Sequence, residues 1–182
     1  MTRTNTRYLV LAGIFAALTA VGGFLKIPFG PMSITLQTML AALAGIVLGP
    51  RWGAASQGVY LALGLMGLPI FTMGGGLGYV LQPSFGFLLG FPLTAAVSGR
   101  LSRGSTSPLR LALAAGVGIL AGYVIGTPYM GLVLNLYLGK GLSVWTVVKT
   151  GCLIYLPGEA VKVAATALVA PSLKRAVEKA GM

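Results

Sequence analysis

Long apolar runs alternate with short clusters of glycine, proline and charge along the whole chain. The first run extends from about Tyr8 to Phe24 and stops at KIPFGP, where two prolines and a glycine break any helix. A second, from about Ile34 to Leu48, ends at GPRWG, and a third, from about Gly53 to Leu68, ends at GLP. The turn around Arg51 is so short that these two should form an antiparallel hairpin. IFTMGGGLGYVLQPS follows, uncharged but too rich in glycine for a stable helix at its centre. A fourth run, about Phe85 to Val97, leads into the polar loop SGRLSRGSTSPLR; a fifth begins near Leu109 and reaches Leu138, with Pro128 as the place for a kink. The last is CLIYLPGEAVKVAATALVAP, residues 152–171. Several runs are near the short end of what crosses about 30 Å of hydrocarbon. The pattern predicts an all-α integral membrane protein with six transmembrane helices, a single membrane-embedded domain over residues 1–182 and no internal repeat.

Composition agrees with that class. The 182 residues are 56% hydrophobic and 8% charged, with 28 glycines and a mean hydropathy of +0.90. The net charge of +11 raises nucleic acid as a partner, but the bases are scattered between apolar runs and form no soluble patch for a phosphate backbone. Cytoplasmic loops that retain Lys and Arg explain it better. With the N-terminus inside, the inner segments hold Arg3, Arg7, Arg51, Arg100, Arg103, Arg110, Lys174, Arg175 and Lys179, and the outer ones hold Lys26, Lys140 and Lys149. Nine against three predicts both termini in the cytoplasm. The basic, apolar N-terminus resembles a signal peptide but lacks a convincing cleavage site, and reads as a retained first helix. Under this topology KIPFGPMSITLQ, the glycine-rich insertion and the start of the sixth helix share the outer side.

The sixth run holds the feature that most needs an explanation. Glu159, one of only two acids in the chain, lies three residues from Lys162 in an apolar segment. A charged group facing lipid costs roughly 2.5–3.5 kcal/mol on insertion scales, so both should turn inward. Their spacing puts them on one helix face, which Tyr155 and Thr166 continue. Pro157 and Gly158 place the start of the regular helix there, with Glu159 near a positive N-terminal end. One reading is a self-neutralising anchor at the outer interface; the other is a polar clamp for a ligand with both donors and acceptors. Proton coupling fits less well, because a base three residues away holds the acid ionised.

Two further patterns have paired readings. The cluster MGGGLGYVLQPS, with Gly75 and Gly76 at its centre, is either a close helix–helix approach or irregular backbone lining a cavity to which Tyr79, Gln82 and Ser84 lend polar groups. Ala12, Ala16 and Ala20 form a small-residue stripe on the first helix, suited to internal packing or to docking of a partner subunit. Candidate chemistry ends there. No complete phosphate-binding G-x-x-x-x-G-K-[ST] motif is present, histidine is absent and Cys152 stands alone, which predicts no ATPase, no metal centre, no cofactor and no enzyme.

The stretches GPMSITLQTMLAALAGIVLGPRWGAAS, GLMGLPIFTMGGGLGYVLQPSFGFLLGF and YLPGEAVKVAATAL resemble, in that order, blocks of the BioY family of biotin-binding substrate subunits of energy-coupling factor transporters. The resemblance spans about residues 8–172 and implies six helices with cytoplasmic termini. The family's P-G-D-x-x-K block, whose Asp and Lys are associated with the ligand, here reads Pro157, Gly158, Glu159 and Lys162, one methylene longer at the acid. Where the family shows G-P-T-G-G-Y before L-x-G-F, this chain has QPSFGFLLGF, so Gln82, Ser84 and Phe85 depart from the pattern. The resemblance implies biotin as ligand, a prokaryotic plasma-membrane location, and partnership with a transmembrane coupling subunit and two cytoplasmic ATPase subunits that alone use ATP. It implies that Glu159 and Lys162 hold the ligand, whose ureido ring fits between them; position along the chain, not a motif, adds Tyr79 and Tyr155 as packing on the bicycle and Gln37 or Asn135 as completing the hydrogen bonds. It also favours docking through Ala12, Ala16 and Ala20. The alternatives are a self-sufficient secondary transporter or channel for another small solute, and a structural membrane protein for which the charged pair is an anchor.

Overall fold

The computed structural model describes residues 3–29 and 32–179. Six helices carry the fold: α1 (Arg3–Phe24), α2 (Gln37–Leu65), α3 (Phe85–Leu101), α4 (Pro108–Leu132), α5 (Val144–Gly151) and α6 (Leu156–Lys179). Between α1 and α2 a two-stranded antiparallel hairpin, β1 (Lys26–Phe29) and β2 (Met32–Thr35), pairs Lys26 with Thr35 and Ile27 with Ile34. Of the KIPFGP break, Gly30 and Pro31 lie outside the described residues. The break therefore ends the helix as expected, and β-branched Ile27, Ile34 and Thr35 supply strands that the helix-period pattern did not suggest.

The second and third apolar runs are the two limbs of α2. Gly49 interrupts the helix with φ 81° and ψ 172°, a conformation that costs glycine little, and Pro50 starts the second limb. The chain folds back at that point: a side chain at Gly53 would meet the backbone of Gly45 within 2.5 Å, and Gln37 reaches Tyr60. These are contacts a straight helix forbids at 1.5 Å rise per residue. α4 continues through Pro128 and ends in a π-helical turn, Val133–Tyr137. α6 begins with Leu156 and Pro157 and runs through Pro171 to Lys179, past the expected end at Pro171. By length and apolarity Thr6–Phe24, Gln37–Leu65, Pro108–Tyr137 and Val144–Val177 are each able to cross a membrane, and Phe85–Leu101 is a shorter apolar helix.

The centre of the protein is packed backbone to backbone. A Cβ at Gly45 would overlap the Ala95 carbonyl, and one at Gly90 would lie 2.6 Å from the Gly122 carbonyl. α2, α3 and α4 thus meet closely and form the most extensive interfaces of the fold. At one end Tyr8 of α1 stacks on Trp52 of α2 at 5.8 Å, and buried Lys174 of α6 donates to the carbonyls of Ser102 (2.6 Å) and Ser105 (2.9 Å) in the α3–α4 loop. At the other, the glycine-rich insertion passes through a short 3₁₀ turn, Leu77–Leu81, and is pinned by Phe71, whose ring lies 4.7 Å from Tyr79 and 5.4 Å from Tyr60.

The alanine stripe is turned inward, and the partner-docking expectation for Ala12, Ala16 and Ala20 is corrected accordingly. All three are buried, at 3%, 4% and 9% exposure, in the cores that α1 shares with α2. The outward face of α1 carries Leu9, Val10, Gly13, Ile14, Ala17, Leu18 and Val21. Small side chains let α2 approach α1, which is the internal-packing reading.

Replacing Gly45 with valine is expected to lower stability by about 3 kcal/mol or more, because the collision is with backbone that cannot rotate away. Thermal unfolding in detergent measures it. Gly58→Ala, where a Cβ meets nothing within 4 Å, is expected to gain about 0.5–1 kcal/mol from helix propensity.

Candidate functional site

α6 begins at the edge of a cavity. Pro157 sits in its first turn, where the missing N–H is no loss, and Glu159 follows in the same turn, where the helix's free N–H groups favour a negative charge. One turn further on, Lys162 places Nζ 2.7 Å from Glu159 Oε1. Both side chains are about 8% exposed, so neither faces the apolar exterior. Tyr155 and Thr166 occupy the same face; both are buried, and Thr166 Oγ1 donates to the Lys162 carbonyl at 2.8 Å.

Two residues from other helices complete the pair. Thr38, in the first turn of α2, donates Oγ1–H to Glu159 Oε2 at 2.9 Å and accepts from Lys162 Nζ at 2.9 Å. Tyr123, near the middle of α4, donates its hydroxyl to Glu159 Oε1 at 3.1 Å. Its ring is held edge-on to Phe87 of α3 at 5.1 Å and 75°. The charges are therefore paired and hydrogen-bonded, the condition under which burial is tolerable. A carboxylate has about four lone-pair sites and an ammonium three protons. Among the described residues, three hydrogen bonds reach the carboxylate and two leave the ammonium. One acceptor site and one donor remain to face the cavity.

That cavity is an open-mouthed cleft, about 490 Å³ when the solvent space at its mouth is included. α6 supplies Tyr155, Glu159 and Lys162; α2 supplies Gln37 and Thr38; the β-hairpin supplies Ser33, Ile34 and Thr35. Tyr123, Phe87, Leu88 and Phe91 make an apolar and aromatic wall, while Thr72 and Ser84 add a second polar group. The structure thus brings together three features that the sequence places on one side: the first insertion, the glycine-rich insertion and the start of the sixth helix. An apolar slot with a few convergent polar groups suits a compact, flat ligand that carries both N–H donors and a carbonyl.

The sequence-derived candidates divide by position. Glu159, Lys162, Gln37 and Tyr155 line the cavity. Gln37 is 2% exposed, donating to Tyr60 Oη at 2.6 Å and accepting from Thr35 Oγ1 at 3.3 Å. Tyr79 stands one layer behind the wall, with its hydroxyl 2.8 Å from Thr72 Oγ1 and 3.3 Å from Ser84 Oγ. Gly75 packs on the Leu68 carbonyl, and Gly76 donates to the Gly64 carbonyl at 2.7 Å; both shape the loop that presents Thr72. Asn135 is elsewhere: it donates to the Leu142 carbonyl at 2.9 Å, accepts from the Leu142 amide at 2.7 Å, and borders a separate apolar groove between the end of α4 and α5. Its amide closes a loop and is not among the cavity-lining groups. Thr38 and Tyr123 are the residues that sequence reasoning passed over. A threonine at the start of a span and a tyrosine in a glycine-rich one were the signals, and neither marks a partner on a distant helix.

With this geometry in hand, comparison with known proteins is decisive. The model of the BioY family matches residues 1–179. The chain belongs to the BioY family. A relative from Lysinibacillus sphaericus named "Probable biotin transporter BioY" is 45% identical over 141 residues, covering 76% of this chain and 72% of that one. The Thermotoga maritima protein named "Biotin transporter BioY" is 36% identical over 172 residues, covering 93% of this chain and 96% of its own. The crystal structure of an S-component for biotin from an ECF-type ABC transporter superposes with a TM-score of 0.82 at 26% identity, covering 96% of this chain and 95% of the other. This BioY-family chain is accordingly a membrane protein of helical S-component fold, and a transport subunit rather than an enzyme.

In this BioY-family site, Lys162→Met is expected to destabilise the protein by about 3–5 kcal/mol, since it leaves Glu159 buried without its counter-charge. Adding Glu159→Gln should restore most of the loss in thermal unfolding. A pair that merely sat at the surface would show neither effect.

Proposed function

We propose that this protein is the biotin-capturing membrane subunit of an energy-coupling factor transporter in a prokaryotic plasma membrane. The observation that carries the reading is the buried Glu159–Lys162 pair, with an unused acceptor and donor at an open cavity. Biotin's ureido ring has two N–H donors and one carbonyl, so it answers both groups with one neutral fragment. Its thiophane ring suits the wall of Phe87, Phe91, Tyr123 and Tyr155. A site built on such complementarity rejects analogues that lack the ring's polar atoms, because its own groups are then left unpaired.

Six membrane-crossing segments with both termini in the cytoplasm make up this reading, as a single domain. The two limbs of α2 count separately because the chain reverses at Gly49. The cavity then opens outward, and the nine inner bases lie on the cytoplasmic side. The subunit needs no cofactor of its own. Uphill uptake relies on a transmembrane coupling subunit and two ATPase subunits that consume ATP. Docking falls to the outward face of α1, where Gly13 and Ala17 are the small residues, rather than to the buried alanines. A self-sufficient transporter is not favoured by the family or the fold.

Calorimetry on the purified protein is expected to give 1:1 binding of biotin and none of an analogue lacking the ureido N–H groups. Glu159→Gln should weaken binding about 100-fold through the lost charge-assisted bond, and unchanged affinity in that variant would refute the assignment. Ala17→Trp is expected to abolish uptake by the complete transporter while leaving biotin binding by the isolated subunit intact. Uptake that survives the bulky side chain places docking elsewhere.

A further inference from the structure

The Glu159–Lys162 pair accounts for a ring, but biotin also ends in a carboxylate, and the pair's cation is already neutralised. The geometry points to Lys26 as the carboxylate-recognising residue of this site, acting at the cavity rim beside Thr72; this deepens the biotin reading and rests on it. Lys26 opens β1 and is paired in register with Thr35, a cavity-lining residue of β2. Its ammonium donates to the carbonyl of Thr72, which lines the cavity too, at 2.5 Å. The side chain is exposed, so its remaining donors face solvent next to these lining residues.

Charge makes the position unusual. The chain has two acids, and among the described residues the one ion pair joins Glu159 to Lys162 rather than to Lys26. Glu159 is bound to Lys162, while Glu178 belongs to the last turns of α6, about 28 Å further along that helix at 1.5 Å per residue. Of the other cations assigned to the outer side, Lys140 precedes α5 and Lys149 lies in its last turn, and neither lines the cavity. Among the described residues Lys26 is therefore a positive charge held by a neutral carbonyl, with no acidic side chain paired to it. Thr72 and Ser84 share none of the hydrogen bonds of the Glu159 cluster, and with the Tyr79 hydroxyl behind them they form a second polar group in the lining. A ligand seated by its ring at α6 has this second group available for its tail. An acid tail there gains a charge-assisted bond from Lys26 that a neutral tail does not.

The test compares biotin with biotin amide, in which a neutral carboxamide replaces the carboxylate, on the unaltered protein, Lys26→Met and Lys26→Arg. The expected result is that Lys26→Met weakens biotin about tenfold or more and leaves the amide unchanged, while Lys26→Arg retains most of the preference for the acid. Equal weakening of both ligands would make Lys26 a latch for the hairpin and overturn the assignment. Unchanged affinity for both would overturn it as well. Failure of the unaltered protein to bind either ligand would overturn the biotin reading and this assignment together, whereas binding of both with equal affinity would remove only the carboxylate assignment.

Discussion

A carboxylate and an ammonium within an apolar bundle set the terms for everything around them. Left alone, each would cost several kcal/mol to remove from water. Together at 2.7 Å they still need their remaining hydrogen-bonding capacity met, and two other helices answer that need. Thr38 bridges both charges from α2, and Tyr123 reaches Glu159 from α4. The cluster therefore ties three helices together at one point. The capacity left over is what the site offers to a ligand.

The surroundings of the cluster follow from how closely the helices approach. Glycine contacts bring α2, α3 and α4 together backbone to backbone, which puts Tyr123 and Phe87 on adjoining walls. α6 packs less extensively, against α4 and α2. The hairpin and the glycine-rich insertion lie over the gap that remains, and Phe71 fixes the second of these among aromatic rings. The cavity exists because α6 is held by polar contacts at its N-terminal end rather than by close packing there.

Much of this could be read from the chain. Hydropathy gave each apolar run, and the short link around Arg51 gave the reversal that Gly49 and Pro50 produce. Insertion cost alone required Glu159 and Lys162 to face inward, and both do. What stayed hidden depends on partners remote in sequence. Thr38 and Tyr123 have no local pattern that distinguishes them from ordinary polar residues of a span. Asn135 looked like a polar group available to a ligand, yet a loop seven residues away satisfies it. The alanine stripe identified a close approach correctly but not its partner, since spacing cannot tell an inner face from an outer one when both are apolar. The strands of the hairpin were likewise masked by a proline that the helix rules treat only as a breaker.

The contrast between α6 and the glycine-packed slab bears on how such a protein can change over time. In α2, α3 and α4 the contacts are main chain to main chain, and a single added methyl group at Gly45 or Gly90 collides with a carbonyl. That part of the molecule is closed to gradual substitution. α6 meets its neighbours through side chains, so a methylene can be gained at its acidic position without disturbing the slab. The fold thereby separates a frozen frame from a single helix whose cavity-lining side chains are free to drift.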